Sequence, residues 1–208
     1  MISWGILPVA LTGILARLDA LTITGVRFAV SAGVLAGALA LGGSWPRRGA
    51  LDRGAYGLLA IATVFLAANY LAYILGLRDT TPADAQVLIQ GAPILLALAG
   101  VWVFREPFSR VQWLGFAILV FGLALFSAGR FSGALGAHHL RGNALIVLAA
   151  VTWAVYGMAQ KQLLRVLPSQ HIMLGIYVGC AVLFVPLADP SGLARLDGTG
   201  WALSLIHI

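Results

Sequence analysis

Long apolar runs separated by short polar patches set the pattern of this chain. A helix needs about 20 mainly apolar residues to cross the hydrocarbon of a bilayer. Runs bounded by charges predict spans at Ile2–Leu15, Leu21–Leu41, Ala55–Leu77, Pro82–Val103, Val111–Phe126, Asn143–Gln160 and Gln170–Leu187. Trp201–Leu205 reads as the start of an eighth. The runs do not alternate as the strands of an outer-membrane barrel do over about ten residues. The expected fold is therefore all-α, a polytopic transmembrane helix bundle.

Span punctuation supports these boundaries. Asp19 stands where a cap of span two belongs, and aspartate is a favoured N-cap. Thr80-Thr81-Pro82-Ala83-Asp84 supplies a threonine cap, a proline at the first helical position and an acid in the first turn. Gly142-Asn143 is expected to open span six in the same way. The polar stretch 127–141, with His138 and His139, reads as a linker between two halves. Span one is short and lacks the basic lead-in and small-residue cleavage site of a signal peptide. Either residues preceding Met1 or a snorkelling Arg17 would complete it.

Span six resembles span one. Ser3-Trp4-Gly5 aligns with Thr152-Trp153-Ala154, and Leu18-Asp19 then falls on Leu167-Pro168. Faint internal repeats are usual in transporters built from duplicated halves. Five spans per half, an odd number, would force the second half to enter the membrane inverted. The expected organisation is a first five-helix repeat over 1–128, a linker over 129–141 and a partial second repeat over 142–208. On that arithmetic the inverted repeat is incomplete. The tail Ser204-Leu205-Ile206-His207-Ile208 resembles adapter read-through, and His207 carries no functional weight.

Composition narrows the class. The 208 residues are 61% hydrophobic and 10% charged, against about 25% charged in soluble domains, and mean hydropathy is +0.96. A water-soluble enzyme is excluded. The net charge of +6 is scattered along the chain, whereas nucleic acid calls for a basic stripe. No nucleic-acid partner is expected; the expected partners are the lipid bilayer and a small-molecule substrate. With the N-terminus inside, seven basic residues fall on the cytoplasmic side and six opposite, which leaves orientation weakly determined. Cys180 is the single cysteine and reads as a small core hydrophobe.

Polar groups inside apolar spans carry the candidate chemistry, because each is costly unless paired. Asn69, Ala72, Tyr73 and Gly76 share one helical face of span three. Gln86, Gln90 and Pro93 do so in span four, and Trp153, Tyr156, Gly157 and Gln160 in span six. Span one offers Trp4, Pro8 and Thr12. Together these stripes suggest a shared cavity in which amides and phenols bind a polar solute and ring faces hold its apolar or cationic part. The amides could equally bond helix to helix, and Trp4 and Trp153 could be interfacial anchors. Pro93 should kink span four by crowding the carbonyl of Ile89, with or without a ligand there. Arg27 lies about a turn inside span two, where it could meet an anionic group or snorkel and pair with Asp19. Gly33-xxx-Gly37 and Gly175-xxx-Gly179 read as packing sites, which leaves a homodimer unsupported.

No carboxylate lies mid-span, so a carboxylate-centred proton antiporter is not expected from these residues. The nucleophile elbow, the zinc HExxH spacing and the phosphate-binding glycine loop do not occur. No catalytic residue, cofactor or metal is expected, and His138-His139 reads as a solvated loop.

The stretch from Tyr70 to Leu125 resembles the EamA-type half of the drug/metabolite transporter superfamily. The shared features are Tyr73-x-Leu75-x-Leu77, Thr81-Pro82-Ala83, Gln86, Ala92-Pro93, Phe104-x-Glu106, Gln112, Gly115 and Gly122. Trp4-Gly5 and Arg27-Phe28 match the first two helices of that pattern, and Trp153-Ala154 with Tyr156 resembles the opening of its second copy. The resemblance implies ten helices in two inverted five-helix repeats, cytoplasmic termini and a cavity between the halves. It points to Asn69, Tyr73, Gln86 and Gln90 as lining. It also implies a multi-pass protein of the bacterial inner membrane that moves a metabolite, amino acid or drug-like solute by alternating access, many members being exporters. The chain departs from the pattern in lacking counterparts of spans three to five in its second half. Rival readings are a membrane scaffold that moves nothing and an intramembrane enzyme.

Overall fold

A computed structural model describes residues 19–45, 52–131, 136–189 and 191, with the side chains of 127 and 129–131 excepted. Among the described residues every regular element is helical. In chain order they are α1 (Ala20–Leu41), α2 (Arg53–Asp79), α3 (Pro82–Leu88), α4 (Gly91–Trp102), α5 (Arg110–Phe131), α6 (Ala137–Leu163) and α7 (Ser169–Phe184), ending in a 3-10 turn at Val185–Leu187. α1, α2, α6, α7 with its 3-10 turn, and α3 and α4 taken together, are each long and apolar enough to cross a membrane. The chain is a multi-pass membrane protein. Span one, with Trp4, Pro8 and Thr12, and the start of an eighth span lie outside the described residues.

The caps act as the sequence predicts. The Asp19 carboxylate accepts from the Leu21 and Thr22 N–H groups, both at 3.0 Å, which satisfies donors that a helix start leaves orphaned. The Thr81 hydroxyl accepts from Asp84 N at 3.1 Å, with Pro82 opening α3. One expected cap is corrected. α6 begins at Ala137, a turn and a half before Gly142-Asn143, and runs straight through them. The Asn143 side chain accepts instead from the Thr80 hydroxyl at 2.6 Å. Much of the expected linker is thus helix, which carries His139 with it.

Span four is broken between Leu88 and Gly91, earlier than its proline. Pro93 has no N–H and its ring crowds the carbonyl four residues back. That carbonyl, Ile89 O, is taken by Ala92 N at 2.9 Å in a tighter turn. The break is where the displaced carbonyl finds its substitute donor.

The bundle is organised around α2 and α6, which pack along much of their length. Hydrophobic driving force between helices is absent in lipid, so close approach of small residues must replace it. A Cβ added to Gly142 would stand 2.7 Å from the backbone carbon of Asp79, and one on Gly76 would stand 2.9 Å from Gly142 O. Ala149 and Ala150 are buried on the same helix. α7 closes on α2 through Gly175 and Gly179, whose added Cβ atoms would meet Leu59 at 3.0 Å and Thr63 at 2.6 Å. The second glycine pair is therefore a packing site as expected. At Gly33 and Gly37 nothing among the described residues comes within 4 Å of where their Cβ atoms would be. None of the described side chains of α5 is buried, an apolar surface that suits lipid chains.

Candidate functional site

Each predicted stripe can be followed to what it touches. The face of α2 carrying Asn69, Ala72 and Gly76 is the seam against α6. Asn69 is buried, and its Nδ2 donates to Ala149 O at 2.7 Å. That carbonyl also receives the Thr152 hydroxyl at 3.0 Å. Tyr73 is half-buried on the same helix. Gln86 is half-buried and Gln90 exposed beside the break in span four, with Gln90 Nε2 donating to Gln86 O at a long 3.4 Å. Pro93 is exposed on α4. α4 leans on α6 where Gly91 faces Ala150 and Leu96 reaches the open side of Gly157.

The α6 stripe divides between two neighbours. Gly157 turns to α4, whereas Tyr156 and Gln160 turn to α7. The Tyr156 hydroxyl lies 3.7 Å from Met173 Sδ and Gln160 Nε2 lies 3.3 Å from the same sulfur. Trp153 is half-buried, its ring edge-on to Tyr156 at 6.4 Å between centroids. The structure thus brings Trp153, Tyr156 and Gln160 together. Asn69 sits in a different interface, and Gln86, Gln90 and Pro93 line the α3–α4 side.

Met173 leads to a cavity the sequence reading missed. A groove of about 340 Å³ lies between α1 and α7, lined by Ser31, Val34, Leu35, Gln170, Met173 and Tyr177 among others. That volume is at the small end for ligand sites, about 300–1,000 Å³. Its walls offer aliphatic surface, a thioether and a ring, with the Gln170 amide and the Tyr177 phenol as the polar ends. Ser31 is engaged by its own helix, its hydroxyl donating to Arg27 O at 2.7 Å. Such a wall suits a small amphipathic solute.

Antiparallel packing of α1 on α7 places the groove. At one end Asp189 N donates to the Thr22 hydroxyl at 2.6 Å; at the other His171 Nε2 meets Ser44 O at 2.8 Å. The spacing that sets Trp4 on Trp153 sets Phe28 on Tyr177 and Leu35 on Phe184. Phe28 and Tyr177 touch, their centroids 6.0 Å apart. The two ends of the α1–α7 contact are unlike. Phe28 stacks on Phe184 at 6.2 Å and meets Tyr70 edge-on at 4.9 Å, which fills one end. The equivalents Tyr177 and Leu35 line the open groove. A signal for this was present, since the repeat offset alone pairs the two aromatic positions.

Arg27 does not snorkel to the surface. It is 5% exposed, and its guanidinium carbon lies 6.0 Å from the centre of the Tyr70 ring, within reach of a cation–π interaction. Nor is His139 in a solvated loop: its Nε2 is 3.2 Å from Asp84 Oδ2. Cys180 is buried, as expected of a small core side chain. Among the described residues no group of three or more histidines, cysteines or acids could hold a metal ion.

The family model described as the EamA-like transporter family matches residues 1–128. The chain is 35% identical over 195 residues to an "Uncharacterized transporter" of Haemophilus influenzae, covering 93% of this chain and 63% of that protein. It is 31% identical over 212 residues to the "Uncharacterized inner membrane transporter YhbE" of Escherichia coli K12, covering 99% of this chain and 64% of that one. An "Uncharacterized transporter" of Synechocystis is 32% identical over 123 residues, 59% of this chain and 36% of the relative. The chain therefore spans under two thirds of the length of these relatives.

Proposed function

We propose a carrier's role for this chain, which belongs to the EamA-like transporter family. The proposed activity is movement of a small metabolite, amino acid or drug-like solute by alternating access, as an exporter, in a bacterial inner membrane. Two relatives are named simply as transporters and one as an inner membrane transporter, which supports that location. The proposed solute contacts are Tyr156, Gln160 and Trp153 on α6, and Tyr73, Gln86, Gln90 and Pro93 on α2, α3 and α4. Asn69 is proposed to hold the α2–α6 seam from which these helices project.

The observation that carries this reading is the unlike pair of ends between α1 and α7. Equivalent positions of the two repeats are ring-filled at one end and open as a groove at the other. Two inverted halves that adopt unlike conformations can exchange them, and the exchange moves the opening from one membrane face to the other. Reciprocal filling and opening is what alternating access requires of a local two-fold.

A screen of intracellular and extracellular metabolites in cells expressing the protein tests this. One or a few amphipathic solutes should shift outward on expression. Tyr156→Phe and Gln160→Ala should reduce that shift at unchanged membrane abundance. No expression-dependent change for any solute would overturn the reading in favour of a scaffold.

A further inference from the structure

The groove between α1 and α7 has two chemically different ends. It starts at Ser169 and Gln170, the first residues of α7, and runs to Tyr177. At 1.5 Å per helical residue that is about 12 Å, most of one leaflet of a hydrocarbon core about 30 Å thick. Between the ends Val34, Leu35, Ala38 and Met173 give an aliphatic wall. The deep end is closed by rings, because Tyr177 meets Phe28 and Phe28 stacks on Phe184. The groove opens to the outside of the bundle: Val34 lines it and is 63% exposed, and Val178 and Val182 on α7 are exposed as well. An apolar groove left empty forfeits dispersion contacts, and at this depth acyl chains are the material at hand to fill it.

The mouth carries the opposite chemistry. α2 and α7 run parallel, with Leu59 against Gly175 and Thr63 against Gly179. The same register sets Arg53 at the start of α2 level with Ser169 at the start of α7. Arg165 lies four residues before Ser169 in the turn from α6, and both arginines are exposed. His171 Nε2 meets Ser44 O at 2.8 Å, which brings the next residue, Trp45, to the same mouth. Trp45 and Tyr56 are each 56% exposed, and tryptophan and tyrosine favour the headgroup level of a bilayer. Asp52 is the acid beside Arg53, and its carboxylate caps α2 by accepting from Ala55 N at 2.7 Å. The mouth is left with a net positive charge.

The distribution of charge over the molecule points the same way. Among the described side chains, the end that holds the mouth has Arg53, Arg105, Arg110, Lys161 and Arg165 against Asp52 and Glu106. The opposite end has Asp19, Asp79, Asp84 and Asp189 against Arg78 and Arg141. Lys161 is committed to Glu106, with Nζ 2.6 Å from Oε1, so the cations of the mouth are the two arginines. Basic side chains at a membrane face attract the anionic lipids of that leaflet.

We propose that this groove is a binding site for one anionic phospholipid. Its headgroup sits at Arg53 and Arg165, and one acyl chain lies along Val34, Leu35, Ala38 and Met173 as far as the Tyr177 ring. The Ser169 hydroxyl and the Gln170 amide supply hydrogen-bond donors for the oxygens between head and chain. The site is separate from the proposed solute contacts, which lie on α2, α3, α4 and α6, and it stands whether or not the chain moves a solute.

Photo-crosslinking on the full chain in phosphatidylcholine nanodiscs tests this. Two trace probes carry the same diazirine on an acyl chain, one a phosphatidylglycerol and the other a phosphatidylcholine, and labelled positions are mapped by peptide mass spectrometry. The phosphatidylglycerol probe should label 34–38 and 173–177 roughly twentyfold more than the phosphatidylcholine probe, about fivefold for each arginine near an anionic headgroup. Leu114 and Ile118, exposed on α5, should take the two probes equally. Arg53→Gln and Arg165→Gln should each lower the preference in the groove about fivefold, and the double variant should remove it. Arg110→Gln, which takes the same charge from the same end at the start of α5, should leave it unchanged. Leu35→Trp fills the groove and should block labelling at 173–177 by both probes. Should that variant fail to yield monodisperse protein, the arginine variants carry the test, because both positions are exposed. Equal labelling of the groove by the two probes, a preference on α5 as strong as in the groove, or a preference that survives the double arginine variant overturns the proposal. Labelling reads lipid and not flux, so a carrier reading that fails leaves this result standing, and the reverse holds too.

Discussion

Asn69 shows what a polar side chain does inside this bundle. Its amide reaches across from α2 to a backbone carbonyl of α6, and hydrogen bonds between membrane helices contribute about 0.6–1.7 kcal/mol. Asn69→Ala should therefore lower the melting temperature of detergent-solubilised protein modestly without altering membrane insertion. Glycine effects should be larger and should depend on site. Gly142→Val must displace the backbone of Asp79, and overpacking of this kind costs about 1–3 kcal/mol. Gly33→Val meets nothing within 4 Å among the described residues and should leave the same melting curve unshifted. Equal effects of the two valines would contradict the packing described. The sequence marked Asn69 as a residue needing a partner. It left open whether that partner was a solute or a helix, because the choice depends on which carbonyl stands opposite.

Helices were the most legible level. Caps at Asp19 and Thr81 act through short-range hydrogen bonds within three residues, so nearby letters sufficed to find them. The start of α6 was misplaced because Asn143 is engaged by Thr80, 63 residues away in the chain. No local pattern records such a partner. The break in span four was foreseen in kind from Pro93 and set in place by the Ile89 carbonyl. Pro93→Ala restores an N–H that can bond to Ile89 O and should mend α3 and α4 into one helix. Amide exchange at Gln90–Ala92 would then slow, and stability should rise by up to about 3 kcal/mol. If the hinge matters to transport, flux falls while stability rises; loss of both together would mean misfolding.

At the scale of the whole molecule, one topology must account for every span. Reporter fusions after Arg110 and after Arg141 should fall on opposite sides of the membrane, since α5 lies between them. Reporters on the same side would break the span count and, with it, the inverted arrangement of repeats expected from the sequence. The α1–α7 contact offers a second check at this scale. In a Cys180→Ala background, a cysteine pair at Phe28 and Tyr177 should be joined within one chain by a short bismaleimide, because the two rings they replace touch across the α1–α7 contact.

The sequence by itself determined that this protein lives in lipid, that Asp19 and Thr81 cap helices and to which family its pattern belongs. Those properties follow from hydropathy, capping and local backbone chemistry, and each is written in neighbouring residues. Only the tertiary structure decided which polar groups meet. Asn69 went to a seam, Tyr156 and Gln160 to Met173, and His139 to Asp84. Helix–helix approach in a bilayer is governed by small residues and interlocking shape rather than by hydrophobicity, so nearly every face of an apolar helix is an eligible partner until the packing chooses one.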